Sequence, residues 1–330
     1  MTMHSDYYRD QEIFKNSIEN IFSSSWQLVS HVNCLDNNNI IPINFLENTS
    51  NEPLLLTKDK GKIECLSNVC THRGHLLCDK DKTSKSLLCR YHGRLFNLNG
   101  NLKKALGFEN AENFPSNKDN LEKIKIKEWK DFIFISLNNT IENLSALDDI
   151  EVRLNKFPFS KIKYRKELSN TFEVDTHWAL YCENYLEGFH VPFVHKGLSS
   201  DIDNHSYKTK ILKNGVVQYA KDSKGNNIYG YYYWIFPNMM LNFYSWGLSV
   251  NIVEPISIDK TKVKFIYFPL DSKSDSSDAI KDLIQVEYED QDVVRSVSKG
   301  IQSRYYDRGR YSPTHEKGVH YFHQLLSKFI

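Results

Sequence analysis

"CTHRGHLLCDKDKTSKSLLCRYHG", residues 70–93, carries Cys70, His72, His75, Cys78, Cys89 and His92. That is a denser set of soft and borderline metal ligands than a surface loop needs. Two pairs stand out: Cys70-x-His72 and, beyond residues 73–88, Cys89-x-x-His92. Each pair sits at the tip of a β-like loop, so two neighbouring loops can present two thiolates and two imidazoles to one point. A structural zinc site is the plain alternative, but zinc sites usually keep like ligands together as C-x2-4-C with H-x3-5-H. One Cys and one His per loop suits a [2Fe–2S] cluster in which one iron takes both sulfurs and the other both imidazoles. His75 lies outside the ligand pattern and could cover such a cluster. Cys78 reads as a small buried residue.

Replacing two thiolates by neutral imidazoles makes the cluster less negative and raises its reduction potential. "CTHRG" and "CRYHGRLF" resemble the Rieske signature, including Gly74 and Gly93, which let backbone amides approach the sulfurs.

The bulk of the chain is ordinary globular material: 330 residues, 40 % hydrophobic and 25 % charged, enough for one or two domains. Lys+Arg at 42 against Asp+Glu at 41 leaves no global field for nucleic acid or an anionic membrane, so any partner is chosen by a local site. The N-terminus lacks a basic region followed by an apolar core, and no stretch is long and apolar enough for a membrane span. The chain reads as soluble and cytoplasmic. Its six cysteines are too sparse and uneven for a secreted disulfide scaffold.

"DQEIFKNSIENIFSSSWQLV" places Phe14, Ile18, Ile21, Phe22 and Val29 near helical spacing, with Asp10 as N-cap, and reads as an amphipathic helix leading into a strand at "WQLVSH". Short β-like runs follow to about residue 140: "EPLLLTK", "KIECLS", "LLCRYHG", "IKIKEW" and "DFIFISL". They suggest a small all-β domain. "THWALYCENYLEGFHVPFVHKGLSS" reads as a helix stopped by Pro192 and Gly197. Long strands occupy residues 206–270, "DSKSDSSD" is a polar loop, and "SDAIKDLIQVEYEDQDVVRSVSKGIQSRYY" is a long amphipathic helix. The second region is therefore α+β, a curved antiparallel sheet carrying helices. The expected organisation is an N-terminal helix over 1–25 packing on the catalytic domain, an all-β domain over 26–140, and the α+β domain over 141–330.

"ENYLEGFHVPFVH" brings a second ligand group, with Glu183, Asn184, Glu187, His190 and His195. Two imidazoles and a carboxylate on one face of a metal leave positions open for dioxygen and substrate, the facial triad of non-heme Fe(II). The carboxylate should come from far away in sequence, and "EYEDQDVVRSVSKG" is the place to look.

A Rieske-like segment followed by "ENYxExxHxxxxH" resembles the catalytic α subunit of Rieske non-heme iron oxygenases, over nearly the whole chain. The resemblance implies an all-β Rieske [2Fe–2S] domain and a helix-grip (START-like) catalytic domain. It implies that Cys70, His72, Cys89 and His92 hold the cluster, that His190 and His195 hold the mononuclear iron, and that Asp290 is the third ligand. Asp290 is preferred because the family's "ED" pair stands ten residues before the glycine of a "VQxGL"-like run, here "VSKGI" with Gly300. Asp292 is the fallback and Asp175 a remote one. Glu187 falls where the family has a carboxylate that joins, in a homotrimer, the Rieske histidine of one subunit to an iron-ligating histidine of its neighbour. Asn184 belongs to the same catalytic segment. The Glu at 187 is similar to the carnitine-type monooxygenases, whereas many aromatic-ring dioxygenases have Asp there.

The implied function is a terminal oxygenase that takes electrons through the cluster to Fe(II), with O2 as co-substrate. With no G-x-G-x-x-G fingerprint and no four-cysteine ferredoxin run, NAD(P)H is used indirectly, through a separate flavin- or ferredoxin-type reductase. "YYYWIFPNMMLNFYSWGLSVNIVEP" resembles strands of the choline, glycine-betaine and carnitine monooxygenase branch. Its aromatic faces could hold a quaternary ammonium by cation–π attraction, with N-demethylation or C–N cleavage as the outcome. An aromatic-ring or aryl-ether oxygenase is the rival within the class. A Rieske electron carrier is the rival outside it, and would leave most of the chain unexplained. His315, His320 and His323 in "HEKGVHYFH" read as part of a terminal docking helix.

Overall fold

The computed structural model describes residues 1–270 and 275–329. The chain forms two compact units: Trp26–Asn139, and Met1–Ser25 together with Thr140–Ile330. Among the described residues no helix is long and apolar enough to cross a membrane.

The unit Trp26–Asn139 is built on antiparallel strands. A six-stranded sheet has the order β1 (Gln27–His31), β9 (Phe132–Ser136), β8 (Lys123–Trp129), β4 (Lys62–Ser67), β3 (Glu52–Asp59) and β2 (Ile40–Phe45). A three-stranded sheet of β5 (Leu87–Leu88), β6 (Leu95–Phe96) and β7 (Leu102–Lys104) accompanies it. Leu54, Leu55 and Leu56 are all fully buried, so β3 is covered on both faces, as its uninterrupted apolar run requires. The expected strand over "LLCRYHG" is only Leu87–Leu88. From Cys89 the chain turns away into a loop, because Gly93 needs a left-handed backbone that a strand cannot supply. One hydrophobic cluster, including Ile40, Leu55, Leu66, Leu87 and Phe96, also contains Cys70, Cys78 and Cys89.

The other unit has a seven-stranded antiparallel sheet in the order β10 (Asn170–Val174), β16 (Lys260–Pro269), β15 (Gly247–Ser257), β14 (Met239–Tyr244), β13 (Ile228–Ile235), β12 (Gly215–Asp222) and β11 (Ile202–Leu212). Alternation along "KTKVKFIYF" decides which face of β16 is buried: Thr261, Val263 and Phe265 go in, and the lysines between them stay out. The helices are α1 (Gln11–Ser17), α2 (Leu147–Arg153), α3 (Trp178–Tyr185), α4 (Val191–Val194), α5 (Lys196–Asp201), α6 (Asp275–Ile301) and α7 (Lys317–Leu326). Asp10 caps α1, accepting from the N–H groups of Glu12 (2.8 Å) and Ile13 (3.1 Å). Helix α1 then loosens into a π-helical turn over Ile18–Phe22 that sinks Ile21 and Phe22 completely, each burial contributing about 1.5–3 kcal/mol. Tyr8 ties this segment to α3 through a 2.6 Å hydrogen bond to Glu183.

Two expectations need correction. The helix expected over "THWALY…GLSS" is three short ones, α3, α4 and α5, broken at Leu186–His190 and at His195. Pro192 does not stop it; it sits in the first turn of α4, where its missing N–H has no partner to lose. The long helix α6 ends at Ile301 rather than continuing to Tyr306, and it already runs from Asp275. Of the polar loop expected at 271–278, residues 271–274 lie outside the described residues.

Helix α3 starts from an unusual cap. His177 accepts from the Ala179 N–H (3.2 Å) through Nδ1, its Nε2 has no hydrogen-bond partner, and Tyr7, Tyr8 and Phe14 ring it. Burial pushes its pKa down to about 3. The unfolded chain, with an ordinary histidine near pKa ~6.5, then binds the proton more readily. Stability should therefore fall as pH drops below about 6.5, by up to ~1.4 kcal/mol per unit, and level off near 3. His177→Asn keeps a capping side chain and should show a shallower loss than the wild type in denaturant titrations between pH 7 and pH 5. Parallel slopes would contradict this.

Candidate metal centres

The two cysteine–histidine loops close in the same way. Cys70 N–H donates to His75 O (2.9 Å) and Gly74 N–H to Cys70 O (3.0 Å); Cys89 N–H donates to Arg94 O (2.8 Å) and Gly93 N–H to Cys89 O (3.0 Å). Gly74 and Gly93, each four residues after its cysteine, have φ of 70° and 74°. A side chain there would cost about 1–2 kcal/mol. Both thiols are buried, and burial pushes the Cys70 thiol up, an effect the neighbouring Cys89 sulfur reinforces.

The imidazoles of His72 and His92 meet edge to face with centroids 4.6 Å apart, and His72 Nδ1 is a buried nitrogen with no hydrogen-bond partner. An orphaned nitrogen beside two buried thiols fits a metal ligand. A single zinc fits less well, because its ligand atoms stand about 3–4 Å apart. Among the described residues, the only group of three such atoms within 4.8 Å of one another is His190, His195 and Asp290. Arg94, missed in the sequence, locks the loops together: its Nη1 donates to Thr71 Oγ1 (3.1 Å), and its guanidinium lies 4.6 Å over Phe108. His75 is exposed, and Cys78 is buried with its thiol donating to Lys80 O.

In the other unit, His195 Nε2 stands 3.0 Å from Asp290 Oδ1 and 3.2 Å from His190 Nε2, and His190 Nε2 lies 3.6 Å from Asp290 Oδ1. Ligands at right angles on one first-row ion, with bonds of about 2.1 Å, are about 3 Å apart. The outer nitrogens are also engaged. His190 Nδ1 is 2.7 Å from Glu187 Oε1, and His195 Nδ1 is 2.8 Å from Glu289 Oε2. That carboxylate–imidazole arrangement fixes each ring with Nε2 aimed at the shared point. For His195, burial pulls the pKa down, but the Asp290 and Glu289 carboxylates outweigh it and the pKa rises.

Local sequence explains each placement. His190 is the residue just before α4 and leaves its ring free of any capping bond, and His195 falls at the α4–α5 junction, so five residues of tight turning bring both rings to one side. Asp290 shares a face of α6 with Leu283, Val286 and Glu287, at helical spacing. Asn184 on α3 donates to Asp290 Oδ1 (2.6 Å) and fixes that carboxylate. Gly188 is required by close approach, since a Cβ there would stand 2.3 Å from the Tyr207 ring. Asp292 is 84 % exposed, pairs with Arg295 and is not in the group; Asp175 is exposed as well. His315 stacks on Phe189, while His320 and His323 both meet Tyr311; His323 Nδ1 also accepts from the Met3 N–H, and its Nε2 lies 3.1 Å from Glu183 Oε1.

Residues 25–115 match the Rieske [2Fe–2S] domain, and residues 203–330 match the catalytic domain of the ring-hydroxylating α subunit. The chain belongs to the Rieske oxygenases. The second match leaves the electron-carrier reading without support, because a carrier has no use for that domain. This oxygenase is 27 % identical to the chloroplastic choline monooxygenase of Arabidopsis thaliana, over 98 % of this chain and 82 % of that protein. It is 28 % identical to the carnitine monooxygenase oxygenase subunit of Escherichia coli K12, over 99 % of this chain and 93 % of that one. In fold it matches a quaternary ammonium Rieske monooxygenase solved with L-carnitine, with a TM-score of 0.84, 24 % identity and 99 % and 95 % of the two chains covered. Its two domains are thus an N-terminal Rieske domain and a C-terminal catalytic domain with an antiparallel sheet.

Within the oxygenase's catalytic domain, a pocket opens beside His190, His195 and Asp290, between the sheet and helices α3 and α6. Six tyrosines line it: Tyr181, Tyr185, Tyr207, Tyr229, Tyr232 and Tyr244. From the aromatic run singled out in the sequence, Tyr232 and Tyr244 reach the pocket. Trp234 is buried against Phe236 and Phe322, and Tyr233 bonds Asp149. Tyr229 joins Tyr232 on the pocket wall because the pairing of β12 with β13 slips a residue between Gly230 and Ile228, which breaks the simple alternation. Glu289 and Glu287 were the other residues missed; acids on a helix carry no signal until a partner histidine or a cavity is placed beside them.

The preference for Asp290 over Asp292 is directly measurable. Asp290→Ala should lower the iron bound per chain by about one, and Asp292→Ala should leave it unchanged. Equal losses, or a loss only in Asp292→Ala, would contradict the geometry.

Proposed function

We propose that this chain hydroxylates a small quaternary ammonium compound at a carbon next to nitrogen. The observation that carries the reading is the pocket wall: six tyrosine side chains and the carboxylates of Glu187, Glu287 and Asp290, with no lysine or arginine among the described lining residues. Such a wall favours a cation by cation–π attraction, about 0.5–2 kcal/mol per ring, and disfavours an anion. The relatives named choline and carnitine monooxygenase support the same class.

In this reading Cys70, His72, Cys89 and His92 hold a [2Fe–2S] cluster, and His190, His195 and Asp290 hold Fe(II). Bound there, these groups supply electron relay and dioxygen activation. Everything else falls to the side chains. Glu187 and Glu289 accept from the outer nitrogens of the two imidazoles, holding each in one tautomer. Asn184 holds the Asp290 oxygen that faces them. The tyrosine wall keeps water from the substrate's methyl groups. Glu187, at the surface edge of the pair, would meet a Rieske histidine of a neighbouring subunit in a homotrimer.

The overall balance is one methyl C–H, one O2, two electrons and two protons in, and one C–OH and one water out. The electrons come from NAD(P)H through a separate flavin- or ferredoxin-type reductase. A hydroxyl on a carbon beside nitrogen gives a carbinolamine whose C–N bond breaks with loss of a proton: a hydroxylated methyl leaves as formaldehyde and gives N-demethylation, and a hydroxylated chain carbon leaves as an aldehyde and gives C–N cleavage.

Oxygen uptake should be measured with a generic reductase against quaternary amines and aromatic acids, with product counted per O2. Uptake matched by product for a quaternary amine is expected. Product from an aromatic acid, with none from any quaternary amine, would overturn the reading.

A further inference from the structure

Glu287 is the pocket carboxylate that the candidate metal site does not use. It lies one turn before Asp290 on the same face of α6 and is 2 % exposed. It accepts from the Tyr181 hydroxyl and from Gln291 Nε2 (2.7 Å), both neutral donors. The nearest guanidinium, Arg295, is committed elsewhere, donating to Gln291 Oε1 (2.7 Å) and Asp292. No lysine, arginine or histidine bonds Glu287 among the described contacts. Tyr267 on β16 and Asp290 are the other titratable groups near it.

A buried carboxyl without a counter-charge is costly, and proteins seldom keep one against an apolar wall. Burial pushes the Glu287 carboxyl up to about 8, against the pull of Tyr181 and Gln291. A cation placed in the pocket beside it would favour the ionised form and offset that cost. The partner Glu287 lacks within the protein is the charge that the pocket is otherwise shaped to take.

We propose that Glu287 is the charge-selecting residue of the pocket, pairing with the cationic head of the substrate, and that the substrate carries no anionic group. The proposal rests on the quaternary ammonium reading and narrows it. A zwitterion would bring its carboxylate into a wall that holds Glu287 and offers no lysine or arginine among the described residues. A choline-like molecule, cationic at one end and hydroxylic at the other, satisfies both the tyrosines and Glu287.

The test is equilibrium binding to the iron-loaded protein with dioxygen excluded. The probes are choline, its uncharged carbon isostere 3,3-dimethylbutan-1-ol, and the zwitterion glycine betaine. Wild type should bind choline at least about tenfold more tightly than either of the others. Glu287→Gln should lose that preference for choline over the isostere while binding the isostere as wild type does, with iron content unchanged. Glu287→Asp should keep part of the preference. A purely structural role would weaken choline and isostere alike, and that result overturns the proposal, as does a Glu287→Gln variant with the wild-type ratio. Glycine betaine bound as tightly as choline overturns the second half without needing any variant to fold. If wild type binds no quaternary amine at all, the proposed substrate class falls as well, whereas a cation preference indifferent to Glu287 removes this inference alone.

Discussion

Asp290 Oδ1 and His195 Nε2 are 3.0 Å apart although 95 residues separate them in the chain. Closing a loop of that length has an entropic cost that rises only slowly with length, but it has to be met by contacts at the closure itself. The sheet strands β11 to β16 fill the interval, and α6 returns across the sheet to lie beside α3. Two hydrogen bonds then fix the register of the two helices, Tyr181 to Glu287 and Asn184 to Asp290, and a third joins Thr176, just ahead of α3, to the Val294 carbonyl. A shift of α6 by one residue would swing Asp290 about 100° round the helix axis and undo the group. The electrostatics point the same way. Glu187, Glu289 and Asp290 surround two imidazoles in a partly buried site, a concentration of negative charge that a divalent cation offsets.

The cysteine–histidine centre solves a different problem with different means. Its cysteines sit in a hydrophobic cluster, and its histidines lie toward solvent, with His92 exposed. Two loops with the same closure, each turning on a glycine four residues after the cysteine, give sulfurs inside and imidazoles at the edge. Arg94 holds one loop to the other through the Thr71 hydroxyl. An electron entering or leaving such a centre does so most readily on the imidazole side, where less protein covers it.

Much of this was legible in the sequence because the chemistry is written in ligand spacing. C-x-H with C-x-x-H, and His190 with His195, were visible as groups, and alternation marked strands such as β16. The break of "ENYLEGFHVPFVH" into short helices was not, since Pro192 can end a helix or begin one and the sequence alone does not choose. The roles of Arg94, Glu287 and Glu289 were also hidden. Each acquires meaning only through a partner distant in sequence: Thr71 for Arg94, Tyr181 for Glu287 and His195 for Glu289. On strand β13, Tyr229 shares the pocket wall with Tyr232 only through a register slip, which composition does not reveal.

One chain should hold both a two-iron cluster and a separate single iron. Analysis of purified protein for iron, zinc and acid-labile sulfide tests it most directly. About three irons and about two sulfides per chain are expected. Two irons with two sulfides in protein fully supplied with Fe(II), or zinc without sulfide, would contradict it.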